Sequence, residues 1–308
     1  MANPFKELQG SFVFAHCLSG LPHLFGGDPA GLPSAGEWSN RCEHRCGDSL
    51  PQYRSHADAG GRECAGATAV GCLWLVDDAS TDHTLALAQE LARQWPERVR
   101  VEALPRNGGP ARARNWGALQ AQSPVVAFLD ADDAYQPQAL AAAALVFEHR
   151  PHIGLLRLPL RAVALPERYA AQAEMAAAWR MFEMTTATNT VFNRSFFLAS
   201  GGWPQHDLFR RLGGEDGALG LATVASCGVA TLFDQLAAEN IGVDFYCRPG
   251  MHAERLFDAM LFGSLPAGVD AAAQQQAQAV TQEVINRLQQ LHQILASPER
   301  GKLPLQLS

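Results

Sequence analysis

The sequence predicts an α/β protein with a mostly parallel central sheet flanked by helices, and three observations carry that expectation. Cys72 to Val76, Val99 to Leu104 and Val125 to Leu129 are short apolar runs of the length expected for strands buried on both faces. Each is followed by a stretch with helical spacing or a helix-opening proline, and this alternation predicts right-handed crossovers between parallel strands. The turns after the runs collect Asp, Gly and Arg, at the strand ends where open α/β sheets bind ligands.

The elements follow in order. Ser11 to Cys17 contains a short apolar stretch that reads as a first strand. From residue 18 to 71 the sequence is rich in Gly, Pro, Ser, Asp, Arg and His and shows neither helical nor alternating spacing. After the strand at Cys72 to Val76, Ser80, Thr81 and Asp82 offer capping side chains. Leu85, Ala88, Leu91, Ala92 and Trp95 then recur at helical spacing until Pro96. Pro110 suits the first turn of a second helix reaching about Gln122, because that position needs no N–H. Pro137 opens an alanine-rich helix to His149, and Ile153 to Leu160 returns as a strand. Glu167 to Met184 reads as helix, Thr188 to Phe192 as extended, and Arg194 to Ala199 as a short helix closed by Gly201 and Gly202. Asp270 to Ala296 carries Val280, Val284, Leu288, Leu291 and Leu295 on one face, a stripe for packing on its own domain or for forming a homodimer.

Composition narrows the classes. An apolar content of 47% over 308 residues is ample for a buried core. The formal charge of -7, with Lys and Arg scattered rather than clustered, argues against a nucleic-acid surface. No apolar run approaches the roughly 20 residues of a membrane span, and the start lacks a secretory pattern, so the expected location is cytoplasmic. Seven cysteines without an export signal are read as reduced thiols. Cys42 and Cys46, with His44, His56 and Cys64 near in sequence, are a zinc alternative. Their spacing departs from the paired C-x-x-C of common structural sites.

Three motifs concentrate the chemistry. Asp77 and Asp78 end an apolar strand, and either acid could cap the next helix or meet a ligand. Asn107-Gly108-Gly109 precedes Arg112, Arg114 and Asn115, where glycines permit close backbone approach and a helix start with arginines favours an anion. Asp130-Ala131-Asp132-Asp133 closes a buried strand. Carboxylates gathered there repel one another, and a hard divalent cation removes that cost, Mg²⁺ or Mn²⁺ rather than zinc.

In order and spacing these segments resemble the family 2 glycosyltransferases of the GT-A fold, over about Leu73 to His252. The resemblance implies an inverting, metal-assisted transfer of a sugar from a nucleotide-sugar donor, UDP-linked, to an acceptor hydroxyl on a carbohydrate, a lipid-linked molecule or another compound. It assigns Asp77, Asp78, Asn107, Gly109, Arg114, Asp130 and Ala131 to the nucleotide sugar, and Asp132 and His252 to the metal. Glu215 and Asp216 follow the Gly201-Gly202-Trp203 turn in the family order, which implies Asp216 as the base for the acceptor hydroxyl, with Glu215 second. Three segments are expected: an atypical part over 1–71, a glycosyltransferase domain over 72–262, and a C-terminal helical extension over 263–308.

The departure lies upstream. The family's P-x-Y-N-like turn and the helix after its first strand are absent from the sequence between Gly20 and Gly71. Either Ser11 to Cys17 is the first strand with a long insertion behind it, or the segment is divergent, degenerate or mistranslated. An alternative function follows, a GT-A-like domain binding a nucleotide or a partner without catalysis. A zinc-stabilised module in residues 40 to 72 is a third.

Overall fold

A computed structural model of the chain describes residues 12–18, 70–227, 229–233, 240–251 and 253–296. The cysteines and histidines of the zinc alternative, and His252, lie outside the described residues. The main sheet contains seven strands: β1 (Phe12–Leu18), β2 (Val70–Asp77), β3 (Val99–Ala103), β4 (Val125–Asp130), β6 (Leu155–Arg157), β8 (Thr190–Asn193) and β9 (Ala230–Thr231), in the order β3-β2-β1-β4-β8-β6-β9. A small sheet orders β5 (Ala134–Tyr135), β10 (Val243–Tyr246) and β7 (Leu160–Val163) as β5-β10-β7.

Helix α1 (Thr84–Gln94) joins β2 to its parallel neighbour β3, and α2 (Pro110–Gln120) carries the chain back past β2 and β1 to β4. This reversal is the switch point of the sheet, where the carboxyl ends of β2 and β4 flank β1. The N-cap of α1 is His83, whose side chain makes no capping bond, and Asp82 just before it accepts the Thr84 N–H at 2.9 Å.

Within the α/β class, the sheet departs from the expected pairing. β2, β3, β4, β6 and β9 point one way, whereas β1 and β8 are reversed, so β1 is antiparallel to both β2 and β4. Phe12 lies beside Asp77 and Val13 beside Asp130, while Leu18 lies beside Val125 at the opposite edge. A strand satisfies its backbone hydrogen bonds in either direction, so the composition of β1 does not set its sense. The strand expected over Ile153 to Leu160 is also two strands in different sheets. Pro159, which has no N–H to continue a ladder, separates β6 from β7.

The sheet lies between two apolar layers because strand side chains alternate. In β4, Val125, Ala127 and Leu129 join one core with Leu73, Leu75, Phe147, Phe182 and Phe257. Val126 and Phe128 face the other, with Phe192, Phe197 and Trp203. Phe128 meets Phe197 at 5.1 Å and Trp203 at 5.5 Å between ring centroids, in tilted and edge-on geometries that aromatic pairs favour.

The first layer contains α3 (Ala139–His149), α5 (Met175–Thr185) and α9 (Ala253–Phe262), preceded by the short α4 (Glu167–Ala170). The second contains α2, α6 (Arg194–Ala199) and α8 (Glu215–Ser226), preceded by α7 (Asp207–Leu212). The expected C-terminal stripe lies on α10 (Ala271–Ala296). Val284 and Leu288 are buried in the second core, and Val280 packs by Leu208 and Phe209, so this face serves the chain's own domain. Among the described residues no helix is long and apolar enough to cross a membrane. Cys227 and Cys247 are free thiols.

Candidate active site

The expected motifs meet at one edge of the main sheet. Asp77 ends β2, and its two carboxylate oxygens accept the Ser80 N–H at 3.3 Å. Asp78 follows, buried, and accepts the Gly108 N–H at 2.9 Å and the Gly109 N–H at 2.6 Å. The Asn107 Nδ2 donates to the Asp78 carbonyl at 3.1 Å. Burial pushes the Asp78 carboxyl up, with the two glycine N–H groups and Arg112 opposing it.

These bonds give Asp78 a role within the fold. The anion at the α2 N-terminus is Asp78 itself, since Pro110 has no N–H and Asp78 takes those of Gly108 and Gly109. Asp78 therefore fixes the Asn107-Gly108-Gly109 turn to β2. Gly109, at φ 84°, supplies the left-handed backbone that brings both N–H groups round. Ala79, where the resembling family has glycine, also holds a left-handed φ of 61°.

Arg114 is likewise engaged within the chain. The sequence pattern suggests a diphosphate contact, but the side chain is buried, with Nη2 on Asp130 Oδ1 at 2.7 Å and Nη1 on Glu215 Oε1 at 2.8 Å. Its guanidinium carbon also lies 5.3 Å from the Trp203 ring centroid. Burial opposes its charge, yet Asp130 and Glu215 outweigh that cost and raise its proton affinity. Arg114 thus ties the end of β4 to the start of α8. Asn115 fastens the adjoining turn, exchanging two 2.8 Å hydrogen bonds with the Trp203 backbone.

The acidic turn contains three different environments. Asp130 is held by Arg114, and its N–H donates to Thr188 Oγ1 at 3.3 Å. Ala131 forms the half-buried turn after it. The Asp132 side chain is 41% exposed, and Arg248 Nη2 donates to its carbonyl at 3.0 Å while lying 4.0 Å from its Oδ2. Asp133 is buried, with Oδ1 accepting the Tyr246 N–H at 3.2 Å and Oδ2 without a hydrogen-bond partner among the described residues. Burial, reinforced by Asp132 and Asp130, drives its carboxyl well above the usual range.

The small sheet produces this arrangement. β5 follows the acidic turn directly and pairs with β10, bringing Tyr246 and Arg248 onto the turn.

Among the described residues no group of three His, Cys, Asp or Glu side chains is arranged to hold a metal. Asp132 nevertheless fits a divalent cation. It offers exposed, hard carboxylate oxygens beside two further acids, and Mg²⁺-type ions bind through one or two carboxylates with substrate phosphates completing the shell.

Glu215 and Asp216 lie in the first turn of α8, after Gly213 and Gly214 at φ 72° and 103°. Glu215 is buried on Arg114; burial first, then Asp216, raises its carboxyl despite that arginine. Asp216 is half-buried, and its Oδ1 accepts the Gly217 N–H at 2.8 Å. Beneath the pair, Arg157 is 1% exposed, with Nη1 on the Glu183 and Thr186 carbonyls and Asn189 Oδ1. Burial lowers its pKa, and Asp216 opposes that change. Neither Arg157 nor Thr188 was legible in the sequence, because a lone Arg in an apolar strand and a Thr in a polar turn carry no spacing signal.

A cavity of about 430 Å³ opens on the other side of Glu215, between the 106–112 turn and α7. Arg106, Arg112 and Arg210 line it, whereas none of the acids at 130–133 does.

The sequence model of Glycosyl transferase family 2 matches residues 73–209. The O-antigen biosynthesis protein RfbC of Myxococcus xanthus is 42% identical over 82 residues, 27% of this chain and 6% of that protein. The poly(ribitol-phosphate) beta-N-acetylglucosaminyltransferase TarS of Staphylococcus aureus is 35% identical over 86 residues, 27% of this chain and 15% of that one. The chain thus matches only a small part of the length of these relatives. A crystal structure of S. aureus TarS 1-349 in complex with UDP aligns with a TM-score of 0.48 and 17% identity, covering 82% of this chain and 72% of that one. The stretch matched by the family model runs from β2 to α7 and contains the turns that carry Asp78, Arg114 and Asp132.

Proposed function

We propose that the chain transfers a sugar from a nucleotide-sugar donor, UDP-linked, to an acceptor hydroxyl with inversion at the anomeric carbon. The observation that carries this reading is the buried Arg114 bridge, which joins Asp130 to Glu215, the residue before Asp216. A donor end and a proton acceptor fixed to each other are what an in-line displacement requires. The name of the TarS relative, a beta-N-acetylglucosaminyltransferase, supports the same class of chemistry.

In this reading Asp77, Asn107, Gly109 and Ala131 line the nucleotide side, and Asp78 and Arg114 hold that side in shape. Asp132 would hold Mg²⁺ or Mn²⁺. Such an ion neutralises charge on a diphosphate leaving group. Asp216 accepts the proton of the acceptor hydroxyl as its oxygen attacks the anomeric carbon. The carbon–oxygen bond to the diphosphate breaks, and the electron pair leaves with the diphosphate. The greater exposure of Asp216 relative to Glu215 supports the choice between them. We assign 72–262 to the transferase domain and 263–308 to the extension.

The test is a thermal-shift series of nucleotide sugars with and without Mn²⁺, followed by detection of released nucleoside diphosphate. Metal-dependent stabilisation by a UDP-sugar with turnover in the presence of an acceptor is expected. A second reading, nucleotide binding without catalysis, draws on the reversed β1, whose carboxyl end lies away from Asp77 and Asp130. It predicts the stabilisation without any turnover.

A further inference from the structure

We infer that the cavity between the 106–112 turn and α7 binds a phosphate group of the acceptor, separate from the diphosphate of the donor. This inference rests on the transferase reading and names the acceptor class, a phosphorylated hydroxyl compound.

The cavity is concave and charged in a chain whose overall charge is -7. Three guanidinium side chains, Arg106, Arg112 and Arg210, line it against the carboxylates of Asp207 and Glu215, and Glu215 is already paired with Arg114 at 2.8 Å. The balance is positive. Arginine forks match the tetrahedral oxygens of phosphate, and a cleft lined by one sign of charge concentrates ions of the other.

The turn is shaped to place these side chains. A Cβ on Gly108 would lie 2.2 Å from Arg112 Cδ, so glycine is what lets Arg112 fold back across the turn, where its Nη1 donates to the Arg106 carbonyl at 2.9 Å. A Cβ on Gly109 would lie 3.4 Å from Arg210 Cγ, so the third arginine packs against the same turn. Arg210 turns its Nε to Asp207 at 3.2 Å. His206 Nδ1 accepts the Leu208 N–H at 3.1 Å, which makes the other ring nitrogen of this cavity-lining residue a donor.

Position separates this site from the donor's diphosphate. Asn107 and Gly109 border both this cavity and the nucleotide side, but Asp130, Asp132 and Asp133, where the donor's diphosphate and its metal would lie, do not line the cavity, and Glu215, which does, is connected to Asp130 through Arg114. A phosphate here would lie across the Arg114–Glu215 bridge from the acidic turn, next to the residue preceding Asp216.

The experiment uses the full chain and inorganic phosphate, with binding followed by calorimetry and by thermal shift at constant ionic strength. Saturable binding is expected, weakened at least tenfold in Arg106→Ala/Arg112→Ala and unchanged in Arg211→Ala, which alters an arginine outside the cavity. Arg112→Lys, which keeps the charge, should retain part of the affinity and guards against a folding defect. Saturating UDP with Mn²⁺ should leave phosphate affinity unchanged, and glycerol phosphate should compete with phosphate where glycerol does not. Equal phosphate binding by the parent and the double variant would overturn the inference. Displacement of phosphate by UDP would also overturn it, because the cavity would then belong to the donor. A chain that binds phosphate in this way but responds to no nucleotide would uphold the anion site and refute the transferase reading.

Discussion

Removing Arg114 should destabilise the fold more than any other single change at the site. Its guanidinium makes two charge-assisted hydrogen bonds, at 2.7 and 2.8 Å, with carboxylates whose side chains are 16% and 7% exposed. Hydrogen bonds to charged groups contribute about 1.5–3 kcal/mol each, and breaking a buried pair by removing one partner costs about 3–5 kcal/mol because a buried charge is left uncompensated. Arg114→Ala also loses the contact with Trp203, so we expect a loss of about 4 kcal/mol, near the middle of that range. Arg114→Lys keeps the charge but lacks the fork that reaches both carboxylates, and should lose about 2 kcal/mol, one charged hydrogen bond. Urea denaturation followed by far-UV circular dichroism measures both. Combining Arg114→Ala with Glu215→Gln should cost less than the sum of the two, since each removes the same bridge. A midpoint for Arg114→Ala within about 0.5 kcal/mol of the parent, the range of ordinary surface changes, would refute the reasoning.

Two further outcomes test the fold around the site. Ala79→Gly should stabilise the chain by about 0.5–1 kcal/mol: a left-handed alanine costs about 1–2 kcal/mol, and the added freedom of the unfolded glycine offsets about 0.4–1 kcal/mol. A lower denaturation midpoint would contradict the strained turn. Tyr169 donates to Asp258 Oδ1 at 2.7 Å, and burial first, then this bond, pushes its phenol up to about 12. Because the folded value exceeds the unfolded one, its contribution is complete below about pH 10 and is lost as pH rises towards 12. Absorbance at 295 nm should show one late-titrating tyrosine that disappears in Tyr169→Phe; an unchanged titration curve would reject it.

Local signals in the sequence gave much of this architecture. The apolar runs at β2, β3 and β4 and the proline opening α2 are short-range features, and each lies where its residues predicted. The convergence of Asp78, Asp130 and Asp132 on one edge followed from their places at strand ends. Partners remote in sequence were not legible. Arg114 and Glu215 are 101 residues apart, and Arg248 and Asp132 are 116 apart. An arginine in a helix cannot disclose from spacing that it faces two carboxylates rather than a phosphate. The same holds for Asp78, whose partners are the backbone of a turn beyond the next strand. β1 shows the limit most plainly, because its direction depends on the strands that receive it.

The most direct measurement of the central claim is release of nucleoside diphosphate from a UDP-sugar by the parent chain, Asp132→Ala and Asp216→Asn, with Mn²⁺ and an acceptor. The account predicts that Asp132→Ala loses metal-dependent donor binding. Asp216→Asn should bind donor as the parent does while its turnover falls by about 10² to 10⁴, the contribution of a positioned base. Turnover by Asp216→Asn at the parental rate, or metal-dependent donor binding undiminished in Asp132→Ala, would contradict it.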